Sequence, residues 1–291
     1  MTSRSCRAMV AGPAAAACAL FALLASVGCG ERAPARLTLA TTTSVGNSGL
    51  LEPLALAFLR QHRIELRSHL AGSGRALELL ASGNADVVIS HAPGLEAEAL
   101  RRHPEWRYQK IMFNDFVLVA PRHDPAQVKN ARDIGEAMRR IASSPTARFL
   151  SRGDRSGTHE REETLWAAAG QRPSPDRLVI GGAGMGATLR MASETGAYTL
   201  TDRATFAQLA SRLSLVVVFE GGELLLNTYA VIVPSSGPLQ VEATAFADWL
   251  SDGKGRDVID QFRIASDLRA FSVWPLESPR HDPAAVPPWL D

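Results

Sequence analysis

Cysteine, lysine and tyrosine are what this chain has least of, three of each. Among its 291 residues there are three cysteines, Cys6, Cys18 and Cys29. Two of them lie in an N-terminal segment that reads as an export signal. Arg4 and Arg7 form a basic start, an apolar run extends from Ala14 to Val27, and the small residues Val27 and Gly28 precede Cys29. The apolar run is short for a bilayer span, and no basic stop-transfer cluster follows it. Removing residues 1–28 leaves Cys29 alone, which excludes a disulfide framework and a cysteine metal site from the mature chain. It also removes two arginines and no acid, taking the formal charge from +1 to −1. A near-neutral chain has no electrostatic footprint for nucleic acid or for an anionic lipid surface. The lysines are Lys110, Lys129 and Lys254, against many arginines, a bias that reads as genomic composition.

Other absences bear on chemistry. There is no G-x-S-x-G nucleophile elbow and no helix-turn-helix segment. Gly181-Gly182-Ala183-Gly184-Met185-Gly186 has no phosphate-loop lysine and lies far from the first strand, so it reads as a close-approach helix start bordering a cleft. The histidines and acids are too sparse for zinc. A hydrolase can be drawn from Ser156, His159 and Asp154, with His91, Asp115 and Glu160 nearby. Yet His159 directly follows candidate capping residues and fits better as part of a helix start.

What is present is a strand–helix alternation. Strands are expected at 36–41, 64–70, 86–90, 116–120, 148–150, 198–201, 215–219 and 229–233. Helices are expected at 50–61, 75–81, 132–143, 160–169, 187–195, 202–209 and 241–251, the last being the final strong one. The tail after Trp274 is proline-rich and reads as irregular. The pattern predicts α/β architecture with mainly parallel sheet. Two β/α lobes fit it better than one continuous sheet, with crossings near Pro121 and near Asn227. The first lobe would hold 36–120 plus 228–291 and the second 121–227. A cleft between lobes joined by two strands is a hinge site for a small ligand.

Three loops share one chemical grammar. Thr41-Thr42-Thr43-Ser44 follows the first strand and leads into a helix. Gly72-Ser73-Gly74 opens another. Ser151-Arg152-Gly153-Asp154-Arg155-Ser156-Gly157-Thr158 leads into a third. Each places hydroxyl donors and glycines at a helix start, where unsatisfied N–H groups and the helix dipole favour an anion. The third adds Arg152, a fork that can contact two oxygens of a tetrahedral dianion at once. Asp154 is expected to orient Arg152. Were it to face the cleft instead, a protonated oxyanion such as phosphate would gain an acceptor.

These motifs resemble those of the periplasmic tungstate-binding proteins of bacterial ABC transporters. The resemblance runs from about residue 36 to 250. It rests on Thr41–Leu51 (TTTSVGNSGLL), Asp86–Pro93 (DVVISHAP), Asn114-Asp115-Phe116-Val117, Ser151–His159 (SRGDRSGTH), Gly184-Met185-Gly186 with Thr188-Leu189, and Ala197–Arg203 (AYTLTDR). Val45-Gly46-Asn47 departs from a more polar, often acidic family stretch. Ser73 stands where threonine is common, and Ala204 where glycine is usual. The resemblance implies a type II periplasmic binding-protein fold, two lobes on a two-strand hinge closing on tungstate or molybdate. It further implies delivery to a membrane permease driven by an ATPase. The implied oxyanion contacts are Thr42, Thr43, Ser44, Ser73, Arg152, Ser156, Gly157 and Thr158, with no catalytic residue, cofactor or resident metal. Sulfate and phosphate are the alternative anions, and the Ser156/His159 hydrolase the alternative activity. Ser26-Val27-Gly28-Cys29 resembles a bacterial lipobox, which makes Cys29 the expected site of lipidation and the protein a membrane-anchored lipoprotein of the periplasm or cell surface.

Overall fold

The computed structural model describes residues 34–264 and 268–285. The expected export signal, with Cys29 as its expected lipidation site, lies outside the described residues. In chain order the elements are β1 (Ala35–Thr42), α1 (Thr43–Ser48), α2 (Leu51–His62), β2 (Ile64–Ala71), α3 (Ser73–Ala81), β3 (Val87–Ser90), α4 (Pro93–Arg102), β4 (Arg107–Pro121), α5 (Ile134–Ser143), β5 (Phe149–Ser151), α6 (Gly157–Ala169), β6 (Leu178–Ile180), α7 (Met185–Thr195), β7 (Thr199–Asp202), α8 (Arg203–Leu209), β8 (Leu215–Glu220), β9 (Leu226–Val233), α9 (Gln240–Ser251), α10 (Lys254–Gln261) and β10 (Ser272–Val273). Among the described residues no helix is long and apolar enough to cross a membrane.

The sheet is mixed, not mainly parallel. β1 pairs parallel with β2 and β3, and β5 with β6. β9 runs antiparallel to both β3 and β4. The cause is β4, a 15-residue strand that changes partners along its length. Arg107–Asp115 pairs with β9, whereas Phe116–Pro121 pairs with β7 and β8, all antiparallel. The change falls between Asp115 and Phe116, a few residues before Pro121, and the return passage enters β9 at Leu226.

Each side of that change has a two-faced core, as strands covered on both faces must. On the first side Leu37, Leu39, Val87, Ile89 and Val231 pack on one face, and Ala40, Val88, Ala230 and Ile232 on the other. On the second side Phe116, Leu118 and Ala120 point one way, and Val117 and Val119 the other. The result is two β/α lobes joined through β4 and the entry to β9.

Expectations for the helices also need correction. The turn after β1 is itself a short helix, α1, capped by Thr42, whose Oγ1 accepts the Val45 N–H at 3.4 Å. α4 falls where no helix was expected, because its inward face carries a fully buried glutamate, Glu96. α9 is followed by a further helix, α10.

The first lobe is anchored by Phe58, which is fully buried and sits edge-on to Phe246 at 4.9 Å and against Trp249 at 5.1 Å. Replacing it by alanine removes a buried ring and leaves a cavity. Phe58→Ala should destabilise the mature chain by about 3–5 kcal/mol, read from the urea midpoint at unchanged m-value.

Candidate functional site

The hydroxyl and glycine loops meet at the junction of the lobes. From the first lobe come Thr41–Ser44 at the end of β1, Ser73 at the start of α3, and the His91 turn after β3. From the second come Arg152–Thr158 between β5 and α6, and Ala183–Gly184 before α7. At Gly157 the approach is close enough to require glycine, and at Gly72 and Gly184 it is close. A Cβ on Gly157 would lie 2.2 Å from the His91 carbonyl oxygen. One on Gly72 would lie 3.4 Å from Asp154 O, and one on Gly184 would lie 3.3 Å from Thr43 Cγ2. The Gly74 N–H donates to Arg155 O across the same boundary at 3.4 Å.

All eight expected contact residues are therefore gathered at one junction. Thr42, Ser44, Ser73, Arg152, Ser156, Gly157 and Thr158 are buried, and Thr43 is partly so. The hydroxyls of Thr41, Thr43 and Thr158 are buried without a hydrogen-bond partner. Several such groups in one place are unusual, since buried polar atoms are normally paired. Ser73 Oγ accepts the His91 N–H at 3.4 Å. Ser156 caps α6 by accepting the His159 N–H at 3.3 Å.

Arg152 is 1% exposed, and its surroundings hold it rigidly. Its Nε donates to Ala183 O at 2.8 Å, its Nη2 donates to Asp154, and its backbone N–H donates to Glu162 Oε1 at 3.0 Å. Asp154 thus orients the guanidinium, as expected, and its second oxygen accepts the Ser156 N–H at 3.1 Å. Burial opposes the charge on Asp154, but Arg152 and the Ser156 hydrogen bonds outweigh it and hold its pKa below the usual value.

The other ionisable groups are kept neutral or disfavoured as ions. Burial pushes Glu162 up to about 8, against the opposing pull of Ser151, the Arg152 N–H and the Arg152 charge. Burial likewise pushes His91 down to about 4, assisted by Arg152 and opposed by the hydrogen bond to Asn227. His91 Nδ1 lies 2.9 Å from Asn227 Oδ1, and its ring stacks on Tyr229. Asp202 is fully buried, which raises its pKa. One of its oxygens caps α8 through the Thr205 N–H at 2.8 Å. Ser44 Oγ lies outside ordinary hydrogen-bond geometry to it, but near enough to favour its charge.

The hydrolase arrangement does not form. Ser156 Oγ accepts a backbone N–H, and the His159 ring accepts the Arg155 N–H at 3.1 Å and faces Glu163, so nucleophile and base are unpaired. Among the described residues no cluster of three histidines, cysteines or acids could hold a metal ion.

Sequence reasoning missed Glu162, Asp202 and Asn227. Only Asp202 had a legible signal. Asp202 directly precedes a helix, as a cap does. Glu162 is an acid within an otherwise exposed-looking run, and only its buried position distinguishes it from its neighbours Glu160 and Glu163.

The His91 shift has a pH consequence. The unfolded chain takes up this proton near pH 6.5, whereas the folded one resists it until about 4. Stability from this source is complete above pH 6.5 and is lost as pH falls towards 4, on the order of 3 kcal/mol in all. Glu162, with its raised pKa, shifts stability the opposite way over much of this range, so the effect is read by comparison: as pH falls from 6.5 to 4, wild type should lose stability in urea relative to His91→Gln.

The PBP superfamily domain matches residues 30–253 of the chain. A tungstate-binding protein of Peptoclostridium acidaminophilum is 36% identical over 79% of this chain and 82% of that protein. The solved tungstate ABC transporter protein of Geobacter sulfurreducens shares 36% identity, covers 78% of this chain and 98% of that one, and superposes with a TM-score of 0.70. The tungstate-binding protein of Desulfovibrio alaskensis shares 34%, covers 82% and 99%, and superposes at 0.68. With two lobes, a two-strand passage between them and these similarities over most of its length, the chain belongs to the periplasmic tungstate-binding proteins of the PBP superfamily.

Proposed function

We propose that this protein captures tungstate, or its near-twin molybdate, between its two lobes and delivers it to the permease of an ATP-driven importer. One observation carries the reading. Two helix starts and a buried arginine converge from opposite lobes on a region where several hydroxyls lack partners. Thr42–Ser44, Ser73, Arg152 and Ser156–Thr158 are the proposed contacts. The anion needs many donors and no acceptor, and this donor set suits it.

Local charge supports a dianion over a protonated oxyanion. Asp154 already accepts from Arg152 and from the Ser156 N–H, so its oxygens are engaged by the protein's own donors. Phosphate at neutral pH carries a proton that would need an acceptor. The proposed role is binding without catalysis, because the candidate nucleophile Ser156 is engaged as a helix cap and is not paired with the His159 ring.

The proposed location is the periplasm, with Cys29 as a lipid attachment point holding the protein near its permease. The proposed lobes are 36–120 with 228–291, and 121–227. The change of β4 partners at Asp115/Phe116 favours drawing the first crossing a few residues earlier.

Calorimetric titration of the mature chain tests the reading. Tungstate should bind 1:1 and tightly, with sulfate and phosphate weak or silent. Arg152→Ala should weaken tungstate by about 1.5–3 kcal/mol, the scale of a charged hydrogen bond. Silence from tungstate, molybdate, sulfate and phosphate alike would refute the oxyanion role, and preference for phosphate would refute the ligand.

A further inference from the structure

Besides the anion, something must hold the lobes together, and α4 shows what. Ala92, at its N-cap, has no side-chain acceptor. The first-turn N–H groups of a helix need partners from outside it. Here they come from the opposite lobe. Glu160, in the first turn of α6, accepts the Gly94 N–H at 2.8 Å through Oε1 and the Leu95 N–H at 3.1 Å through Oε2. Gly94 makes room, since a Cβ there would lie 3.1 Å from Glu160 Oε1. The carboxylate therefore sits where the positive ends of two helices meet.

We propose that Glu160 is a closure latch, a carboxylate that caps a helix of the first lobe only when the lobes are closed, and so slows anion release. The proposal rests on the receptor reading above. α6 carries both functions on a single turn: Ser156–Thr158 provide anion donors, and Glu160 follows two residues later. An anion that orients the start of α6 also brings Glu160 to α4, which is the differential contact that coupling requires. The neighbouring Arg155–Glu78 pair also spans the boundary, at 2.6 Å, but its side chains are 70% and 46% exposed, so it contributes little.

Glu160→Gln and Gly94→Ala separate the latch from the anion contacts. The first removes the charge, and the second crowds the carboxylate off the N–H pair. In the full mature chain each should weaken tungstate binding about tenfold, the scale of one charged hydrogen bond. Neither should lower the Tm of the anion-free protein, whereas a merely structural role for Glu160 would. The tungstate-induced rise in Tm should shrink in both. Wild-type binding that is unchanged in both variants, or a loss matched by a fall in anion-free Tm, would overturn the latch alone. A wild type that binds none of tungstate, molybdate, sulfate and phosphate would overturn the receptor reading, and the latch with it.

Discussion

A guanidinium buried to 1% exposure must find its partners inside the protein, and Arg152 does so by tying three segments together. Its backbone reaches Glu162 in α6, its Nε reaches the Ala183 carbonyl before α7, and its Nη2 reaches Asp154 in its own loop. The starts of α6 and α7 are thereby fixed relative to the end of β5. Breaking a buried charge from its partners is costly, so this geometry is held firmly before any ligand arrives. Preorganised donors need no rearrangement on binding.

The charges around Arg152 are arranged to leave recognition to dipoles. Asp154 is ionised and balances Arg152. Glu162 is pushed towards its neutral form, and His91 is neutral at physiological pH. A dianion at this junction meets little net charge and many N–H and O–H donors. That arrangement favours a fully deprotonated tetrahedral ion, and of its opposing shifts His91 costs stability as pH falls below 6.5 while Glu162 costs stability as pH rises from 4.5 towards 8, so these two groups favour the empty protein most at mildly acidic pH.

Local chemistry was readable from the chain, whereas long-range chemistry was not. Ser73 and Ser156–Thr158 announced helix starts because each motif is complete within a few residues, whereas Thr42–Ser44 read as a turn and itself opens α1. Two lobes followed from strand–helix alternation, and their type II class from the family motifs. The direction of strand pairing was hidden, since it depends on β4 meeting β7, β8 and β9 more than 75 residues later in the chain. α4 was hidden because Glu96 on its inner face looks solvent-facing until Tyr108 Oη and the Ala92 N–H are seen bonded to it, each at 2.9 Å. The first half of β4 was masked in the same way by Gln109, Lys110 and Asn114, all buried in the fold. Glu160 looked like an ordinary first-turn acid, and its partners lie 65 and 66 residues earlier.

The most direct test of the account is to locate the metal centre of the cargo itself. Tungsten scatters anomalously, so crystals of the mature protein grown with tungstate would mark the anion without ambiguity. One strong peak is expected at the junction, within hydrogen-bonding reach of Arg152, Ser73 and Thr158 and of the Thr42–Ser44 turn. A peak elsewhere on the molecule, or none under saturating tungstate, would contradict it.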